Sequence, residues 1–194
     1  RASRWYVPAG YKKHSHTMVR DLLNSKGFVV FVVNGDGLEL ALPFGEKFRF
    51  AKSKELHQQT RELIVEKHLE SFPIAFTGDR CISRGISMMA KENNSLAEFI
   101  FDYAIFSNVS DHSEVSQKAG RIKGNIKNWV SYKKPLVFCT KEFHEIATHQ
   151  EKISRDLAKL AYSYNTTKPS IITSDDFNGL STYNPNRKRN KKGY

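Results

Sequence analysis

Gln117 and Arg121 are the two residues whose types and spacing point most directly to chemistry. They lie in the segment 117–125, which reads QKAGRIKGN. In a helix, residues four apart lie one turn apart on the same face. The amide and the guanidinium would therefore project together, an arrangement suited to the terminal phosphate of a nucleotide. A solvated face of an amphipathic helix is the alternative interpretation.

The same segment contains two glycines, Gly120 and Gly124. Each glycine in a helix interior costs about 1 kcal/mol relative to alanine. That cost suggests that the glycines allow another backbone or a ligand to approach closely. The apolar residues of this helix fall on the other side and predict a buried stripe: Val115, Ala119, Ile122 and Ile126.

A second segment, 77–87, reads TGDRCISRGIS and follows a predicted strand at 73–76. It combines a hydroxyl, two glycines, an acid and two arginines. Exposed amides and guanidinium groups suit a phosphate or a nucleic-acid backbone. The alternative is a solvated loop in which Asp79 pairs with Arg80 or Arg84.

The third segment is the turn Asn34–Gly37, which follows an apolar run at 28–33. Glycines there permit a tight turn and close approach to a phosphate, although Asn-Gly and Asp-Gly are also common turn dipeptides. Nearby, aromatic residues alternate with cations over 44–54, as on single-strand binding platforms. A hairpin that packs its phenylalanines on the domain explains this pattern equally well.

The order of these segments resembles motifs V and VI of the superfamily-two helicases. The family patterns are roughly T-x(n)-RG-x-D and Q-x-x-G-R-x-x-R. Here they correspond to Thr77 with 84–87 (RGIS) and to 117–124 (QKAGRIKG), while Asn34–Gly37 takes the place of motif IV. The resemblance covers roughly residues 1–140 and is nearest to helicase-like proteins of large DNA viruses and phages. It implies that the chain is the second, C-terminal RecA-like lobe.

The resemblance also implies a role for each matching residue. Arg121 would be an arginine finger directed at the γ-phosphate of ATP, and Gln117 would contact the same phosphate. Other residues implied to face ATP are Arg84, Gly85, Ser87, Gly120 and Lys123. Residues implied to touch the nucleic-acid backbone are Asn34, Gly35, Asp36, Thr77, Gly78 and Arg80. Two departures from the pattern, Gly124 for arginine and Ser87 for aspartate, put efficient hydrolysis and nucleotide choice in question.

The phosphate loop G-x-x-x-x-G-K-[ST] requires a Gly-Lys pair, and the sequence contains none. No acid pair suited to magnesium stands out, and we predict no metal site. We therefore expect ATP and Mg²⁺ to be held mainly by an N-terminal RecA-like lobe of the same polypeptide. This chain alone would not hydrolyse ATP. The sequence opens on arginine rather than methionine, so we expect it to be a piece of a longer protein.

Short strand-like runs alternate with helical patterns, which predicts an α/β domain with a mostly parallel sheet flanked by helices. We assign residues 1–164 to a RecA-like domain and 165–194 to a polar extension with a basic tail. The predicted strands are 4–7, 28–33, 73–76, 99–106 and 136–140. The alternation over 37–50 around Pro43-Phe44-Gly45 predicts a β-hairpin or an irregular excursion. The predicted helices are 14–26, closed by Gly27, then 53–71, 113–128 and 143–164.

The charge of the chain points to a polyanionic partner. Lysine and arginine number 31 against 20 acids, for a net charge of +11. Single-stranded or duplex nucleic acid is the expected partner, ahead of a membrane surface. The two cysteines form no CxxC pattern, and no apolar run approaches the ~18 residues of a membrane helix. We therefore expect an intracellular, reducing location: cytoplasm, nucleus or a viral replication site.

Two other functions fit the sequence less well. The first is a non-catalytic nucleic-acid-binding module built on a degenerate helicase lobe, which the departures at Gly124 and Ser87 favour. The second is an unrelated α/β nucleotide-binding enzyme, for which the chain alone would bind ATP.

Overall fold

The structure, a computed structural model, describes residues 2–51, 56–79, 100–106, 115, 118–120, 122 and 133–164. The chain divides into two compact units, Arg1–Glu145 and Ile146–Tyr194. Of the second unit, the described residues end at 164, so the predicted polar extension and basic tail lie outside them.

The first unit is built on a seven-stranded sheet. Its strands are β1 (Arg4–Tyr6), β2 (Val29–Asn34), β3 (Gly37–Ala41), β4 (Lys47–Phe50), β5 (Ile74–Gly78), β6 (Tyr103–Phe106) and β7 (Leu136–Cys139). They follow the order β4-β3-β2-β5-β1-β6-β7. Strands β2, β5, β1, β6 and β7 are parallel to one another, whereas β3 and β4 add an antiparallel hairpin at one edge. The predicted α/β class and mostly parallel sheet are confirmed.

The core lies against the central strands. Strand β2 is apolar from Val29 to Val33 and fully buried, as expected for a parallel strand covered on both faces. Phe31 stacks on Phe76 of β5 with ring centroids 5.0 Å apart. Tyr6, which is also fully buried, contacts Phe106 edge to face at 5.8 Å.

Helix α1 (Lys13–Ser25) packs on β2 and β5 and ends as the sequence predicts. Gly27 has a φ of +82°. Its N–H donates to the carbonyl of Asn24 at 2.9 Å, and the N–H of Phe28 donates to the carbonyl of Leu23 at 3.1 Å. These two bonds form a Schellman closure, which favours glycine.

The buried face of α1 differs from the apolar pattern of its sequence. Met18 and Leu22 are 60% and 61% exposed, while His16 and Arg20 are buried. Arg20 is buried because its Nη1 donates to Oε1 of Glu39 on β3 at 2.6 Å. The carboxylate of Glu39 also accepts from Nε of Arg49 on β4 at 3.0 Å. A charged network therefore joins α1 to the hairpin.

Helix α2 (Leu56–Glu66) ends earlier than the helix predicted over 53–71. His68 has a φ of +53°, and the N–H of Leu69 donates to the carbonyl of Ile64 at 2.9 Å. The chain thus closes the helix with a residue in the left-handed region before it turns toward β5. Leu63 and Ile64 form the buried apolar side of this helix.

Two strand boundaries also differ from expectation. Thr77 and Gly78 are the last residues of β5, paired with Val32 and Val33 of β2, and do not begin a loop. Asp102 precedes β6 and lies outside it. Its Oδ2 accepts from the backbone N–H of Arg4 at 2.8 Å, which ties the starts of β1 and β6 together and explains an acid at this point.

The predicted hairpin over 37–50 is confirmed as β3 and β4, which pair from Leu38 with Phe50 to Ala41 with Lys47. Phe48 and Phe50 are half-buried and alternate with exposed Lys47 and Arg49. The Nζ of Lys67 lies 4.4 Å from the centroid of the Phe48 ring. Strand β4 therefore packs its two phenylalanines on the domain and exposes Lys47 and Arg49 to solvent.

Helix α3 (Lys141–Tyr164) matches the predicted long helix at 143–164. Phe143, in the first unit, is buried and stacks on Phe106 at 4.5 Å. His144 and His149, which lie on this helix, are exposed. None of the described helices is long and apolar enough to cross a membrane.

Candidate functional site at the carboxyl edge of the sheet

The carboxyl ends of β1, β2 and β5 meet at one edge of the sheet, because these strands are parallel and adjacent. Val33 pairs with Gly78, so the Asn34 turn starts beside the end of β5. The segment after β1 continues along β5: the N–H of Ala9 donates to the carbonyl of Gly78 at 2.8 Å. Open α/β sheets bind ligands at such edges.

Asn34–Gly37 forms the turn between β2 and β3, so the turn interpretation accounts for its local structure. Oδ1 of Asn34 accepts from the backbone N–H of Asp36 at 2.8 Å. The Nζ of Lys13, at the start of α1, lies 2.6 Å from the nearer carboxylate oxygen of Asp36. This hydrogen bond and the charge of Lys13 hold the pKa of Asp36 below its ordinary value.

Gly37 closes this turn in a conformation that requires glycine. Its φ is +125°, and a Cβ at this position would lie 2.5 Å from the carbonyl oxygen of Phe50. The glycine here therefore serves the pairing of β3 with β4. Gly35, one of the residues predicted to touch nucleic acid, is exposed and has open space around its Cα.

Thr77 and Gly78 reach the same edge from β5. The side chain of Thr77 is fully buried, and within the described part of the chain its Oγ1 has no hydrogen-bond partner. A direct contact of Thr77 with nucleic acid would therefore require a rearrangement. Gly78 has a φ of +150° and is held by its bond from Ala9.

His16 is a buried residue of this edge to which the sequence analysis assigns no role. Its Nε2 donates to the carbonyl of Gly10 at 2.9 Å, which fixes the loop between β1 and α1. Its Nδ1 is buried without a partner among the described residues. The sequence does place His16 one turn into a helix that follows a strand. The residue type alone, however, does not predict that the side chain is buried.

Asp79 and Lys118 connect two of the candidate segments. Asp79 follows β5 and is 8% exposed, whereas Lys118 is helical and 6% exposed. The Nζ of Lys118 lies 3.9 Å from Oδ1 of Asp79. Burying either charge alone would be costly, and each charge compensates the other where the two segments meet. The predicted alternative in which Asp79 pairs with a nearby arginine involves residues outside the described set.

The helical residues around Lys118 agree in part with the predicted stripe. Val115 and Ile122 are buried, Ala119 is half-buried and Gly120 is exposed. Among the described residues, no atom outside the helix's own nearby backbone and the two chain neighbours lies within 4 Å of the place that a Cβ on Gly120 would take. The remaining candidate residues lie outside the described part of the chain: Arg80, Arg84, Gly85, Ser87, Gln117, Arg121 and Lys123.

The described part of this edge carries lysines and the N-terminal backbone amides of α1, and it has no cluster of acidic side chains. Lys12 and Lys13 are exposed at the start of α1, and Lys12 provides no side-chain cap for the helix. Positive charge beside a helix N-terminus suits an anionic ligand. Within residues 2–51, 56–79, 100–106 and the described remainder, no three histidine, cysteine, aspartate or glutamate side chains could hold a metal ion.

Comparison of the chain with protein-family models, with curated proteins and with solved structures gave no match.

Proposed function

We propose that this chain is the C-terminal motor lobe of an ATP-dependent nucleic-acid helicase or translocase that works inside the cell. In this proposal the α/β unit is a RecA-like domain. It supplies the arginine finger and part of the grip on the nucleic-acid backbone. An N-terminal RecA-like lobe of the same polypeptide supplies the phosphate loop and holds Mg²⁺.

The contact between Asp79 and Lys118 is the observation that supports this proposal most strongly. It joins the end of β5, where the candidate grip residues Thr77 and Gly78 lie, to the helical segment that includes Gly120. Residues implied to hold the strand and residues implied to face ATP thus belong to segments in direct contact. Such contact is what a motor lobe needs in order to link nucleotide state to strand grip.

The roles within the proposed site follow from charge. Arg121 stabilises the negative charge that develops during phosphoryl transfer, and Gln117 orients the same phosphate. Arg84, Gly85, Ser87 and Lys123 line the ATP-facing edge. Gly120 is exposed with open space beside it, which leaves room for a nucleotide or for the backbone of the other lobe.

The nucleic-acid grip follows from the carboxyl edge and the net charge of +11. The turn Asn34–Asp36 and Gly78 lie at this edge, beside Lys12 and Lys13, whose ammonium groups carry the positive charge. Arg80 belongs to the same proposed surface. These groups contact phosphates and do not read bases, so the binding is independent of sequence.

The proposal is tested by joining the chain to the upstream lobe that it requires. The chain alone should bind single strands without hydrolysing ATP. The joined polypeptide should hydrolyse ATP faster when single strands are added. Hydrolysis by the chain alone would contradict the proposal and would favour an independent α/β nucleotide-binding enzyme.

A second candidate is a non-catalytic nucleic-acid-binding module on a degenerate helicase lobe. The observation that favours it is the pair of departures at Gly124 and Ser87. It predicts that the joined polypeptide binds single strands without hydrolysing ATP.

A further inference from the structure

Lys13 and Asp36 form an ion pair between the start of α1 and the turn that joins β2 to β3. The Nζ of Lys13 lies 2.8 Å from Oδ1 and 2.6 Å from Oδ2 of Asp36, so the ammonium contacts both carboxylate oxygens. The two side chains are 67% and 62% exposed. Because water reaches both groups, the pair is weak. An anion from solvent can therefore reach the ammonium and compete with the carboxylate.

A phosphate of the nucleic-acid backbone has the chemistry to take the place of this carboxylate. It carries one negative charge and presents two oxygens that are not part of the ester links. Lysine binds such a group as a point charge, with a charge-assisted hydrogen bond. Two anions beside one ammonium repel each other. Lys13 therefore pairs with Asp36 or with a phosphate, and the two contacts exclude one another.

The start of α1 carries positive charge that its own first turn does not neutralise. The first turn contains no acidic residue, and Lys13 is the first residue of the helix. The N-terminus of a helix is the positive end of its dipole, where a lysine is unfavourable. Asp36 supplies an anion to this position from another element. Asp36 is ionised at neutral pH, since the hydrogen bond and charge of Lys13, with the charge of Arg49, hold its pKa below the ordinary value.

The backbone of the turn is held by bonds that do not use the carboxylate of Asp36. Oδ1 of Asn34 accepts from the backbone N–H of Asp36 at 2.8 Å. Gly37 then takes its positive φ and begins β3. The carboxylate can thus leave Lys13 by a rotation of its own side chain while the turn stays in place. For the same reason, Asp36→Asn removes the charge and keeps the turn.

We propose that Asp36 is an internal competitor of the nucleic-acid backbone: its carboxylate occupies Lys13 in the free chain, and a backbone phosphate displaces it on binding. In this assignment Asp36 lowers the affinity of the grip, whereas the helicase resemblance implies that it contacts the strand. The inference rests on the nucleic-acid grip of the proposed function and does not depend on ATP hydrolysis.

The test measures binding of the 194-residue chain to a fluorescein-labelled oligothymidine by anisotropy at low salt. Asp36→Asn should bind about two- to fivefold more tightly than the unchanged chain, the range that an exposed ion pair can supply. The same substitution in a Lys13→Ala background should lose most of this gain, because no ammonium is left to release. This double-mutant cycle isolates the contact between the two side chains.

Glu46→Gln is the matched control for the change in net charge. Glu46 is an exposed acid in the turn between β3 and β4, at the opposite end of β3 from Asp36. Its substitution should change the affinity by less than about 1.5-fold, as a charge outside the grip. A gain for Glu46→Gln equal to that for Asp36→Asn would reduce the effect to net charge and would overturn the proposal.

The remaining outcomes separate this inference from the motor function. Binding by Asp36→Asn no tighter than by the unchanged chain, or a full gain in the Lys13→Ala background, would overturn the inference and leave the motor function standing. A joined polypeptide that fails to hydrolyse ATP would contradict the motor function alone. Potassium phosphate and potassium chloride of equal ionic strength should weaken the oligothymidine equally. A stronger effect of phosphate would assign Lys13 to a free phosphate and overturn its pairing with the strand.

Discussion

The Nζ of Lys118 lies 3.9 Å from Oδ1 of Asp79, and both side chains are almost fully buried. The pair bridges the end of β5 and the helical segment around Gly120. A buried ion pair is costly to break because the charge left behind has no water around it. This contact therefore fixes how two segments of the proposed site meet.

Loss of either charge should destabilise the fold. Lys118→Met and Asp79→Asn should each lower the free energy of unfolding by about 3 kcal/mol, measured by urea denaturation. The double variant should lose less than the sum of the two. Lys141→Met, which removes an exposed ion pair with Glu145, is the control and should change stability by less than about 0.5 kcal/mol. A Lys118→Met variant as stable as the control would contradict the assigned pairing.

Gly37→Ala should destabilise the hairpin by about 1–3 kcal/mol, since it combines a positive φ with a Cβ that meets a carbonyl oxygen. Gly35→Ala is the matched control, because a Cβ there meets nothing within 4 Å. Thermal unfolding of both variants checks the difference. Equal melting temperatures would show that the turn accommodates a side chain at Gly37.

Glu39 should make the stability of the chain sensitive to acid. Its burial opposes ionisation, but hydrogen bonds from Arg20 and Arg49 and their charges outweigh that effect and hold the pKa of Glu39 below its ordinary value of 4.5. A lowered folded pKa contributes stability above the ordinary value, and that contribution is lost as pH falls through the folded pKa.

The variant Glu39→Gln isolates this contribution. It should cost on the order of 2 kcal/mol at pH 7, because charge-assisted bonds become neutral ones. The cost should shrink as the pH is lowered from about 4.5 toward the folded pKa. Urea denaturation of both proteins at a series of pH values measures the difference. A cost that is independent of pH would exclude an ionised Glu39.

Binding to single strands should weaken steeply with salt, because counterions are released when lysines meet phosphates. Lys13→Ala should reduce the slope of log affinity against log salt by about 1 for one lost phosphate contact. Lys152→Ala is the control, because it removes an exposed lysine of α3 that is not part of the proposed grip. It should leave the slope unchanged. A slope that Lys13→Ala does not alter would remove Lys13 from the proposed grip.

Much of the fold was predictable because its signals are local. The unbroken apolar run that became β2 predicted a central parallel strand, and Gly27 after a helical pattern predicted the end of α1. The turn signal at Pro43-Phe44-Gly45 favoured a hairpin, which β3 and β4 form. In each case the physical cause, burial on both faces or a required positive φ, acts within a few residues.

The buried charges were not predictable, because their partners are distant in sequence. Lys118 belongs to a helical segment, where a lysine is expected to face solvent, and its burial is compensated by groups distant in sequence such as the carboxylate of Asp79, 3.9 Å from its Nζ. Arg20 is a similar case, since Glu39 on another element compensates its charge. Residue type alone favours burial of Met18 and Leu22 and exposure of Arg20, whereas the structure shows the reverse.

The role of Arg121 is the central claim, and the turnover number of the joined two-lobe polypeptide tests it most directly. We predict that Arg121→Ala lowers kcat by about 10³ or more while the KM for ATP changes only a few-fold, as for other arginine fingers. Arg155→Ala, which removes an exposed helical arginine paired with Glu151, should leave kcat unchanged. A kcat for Arg121→Ala equal to that of the Arg155→Ala control would contradict the account.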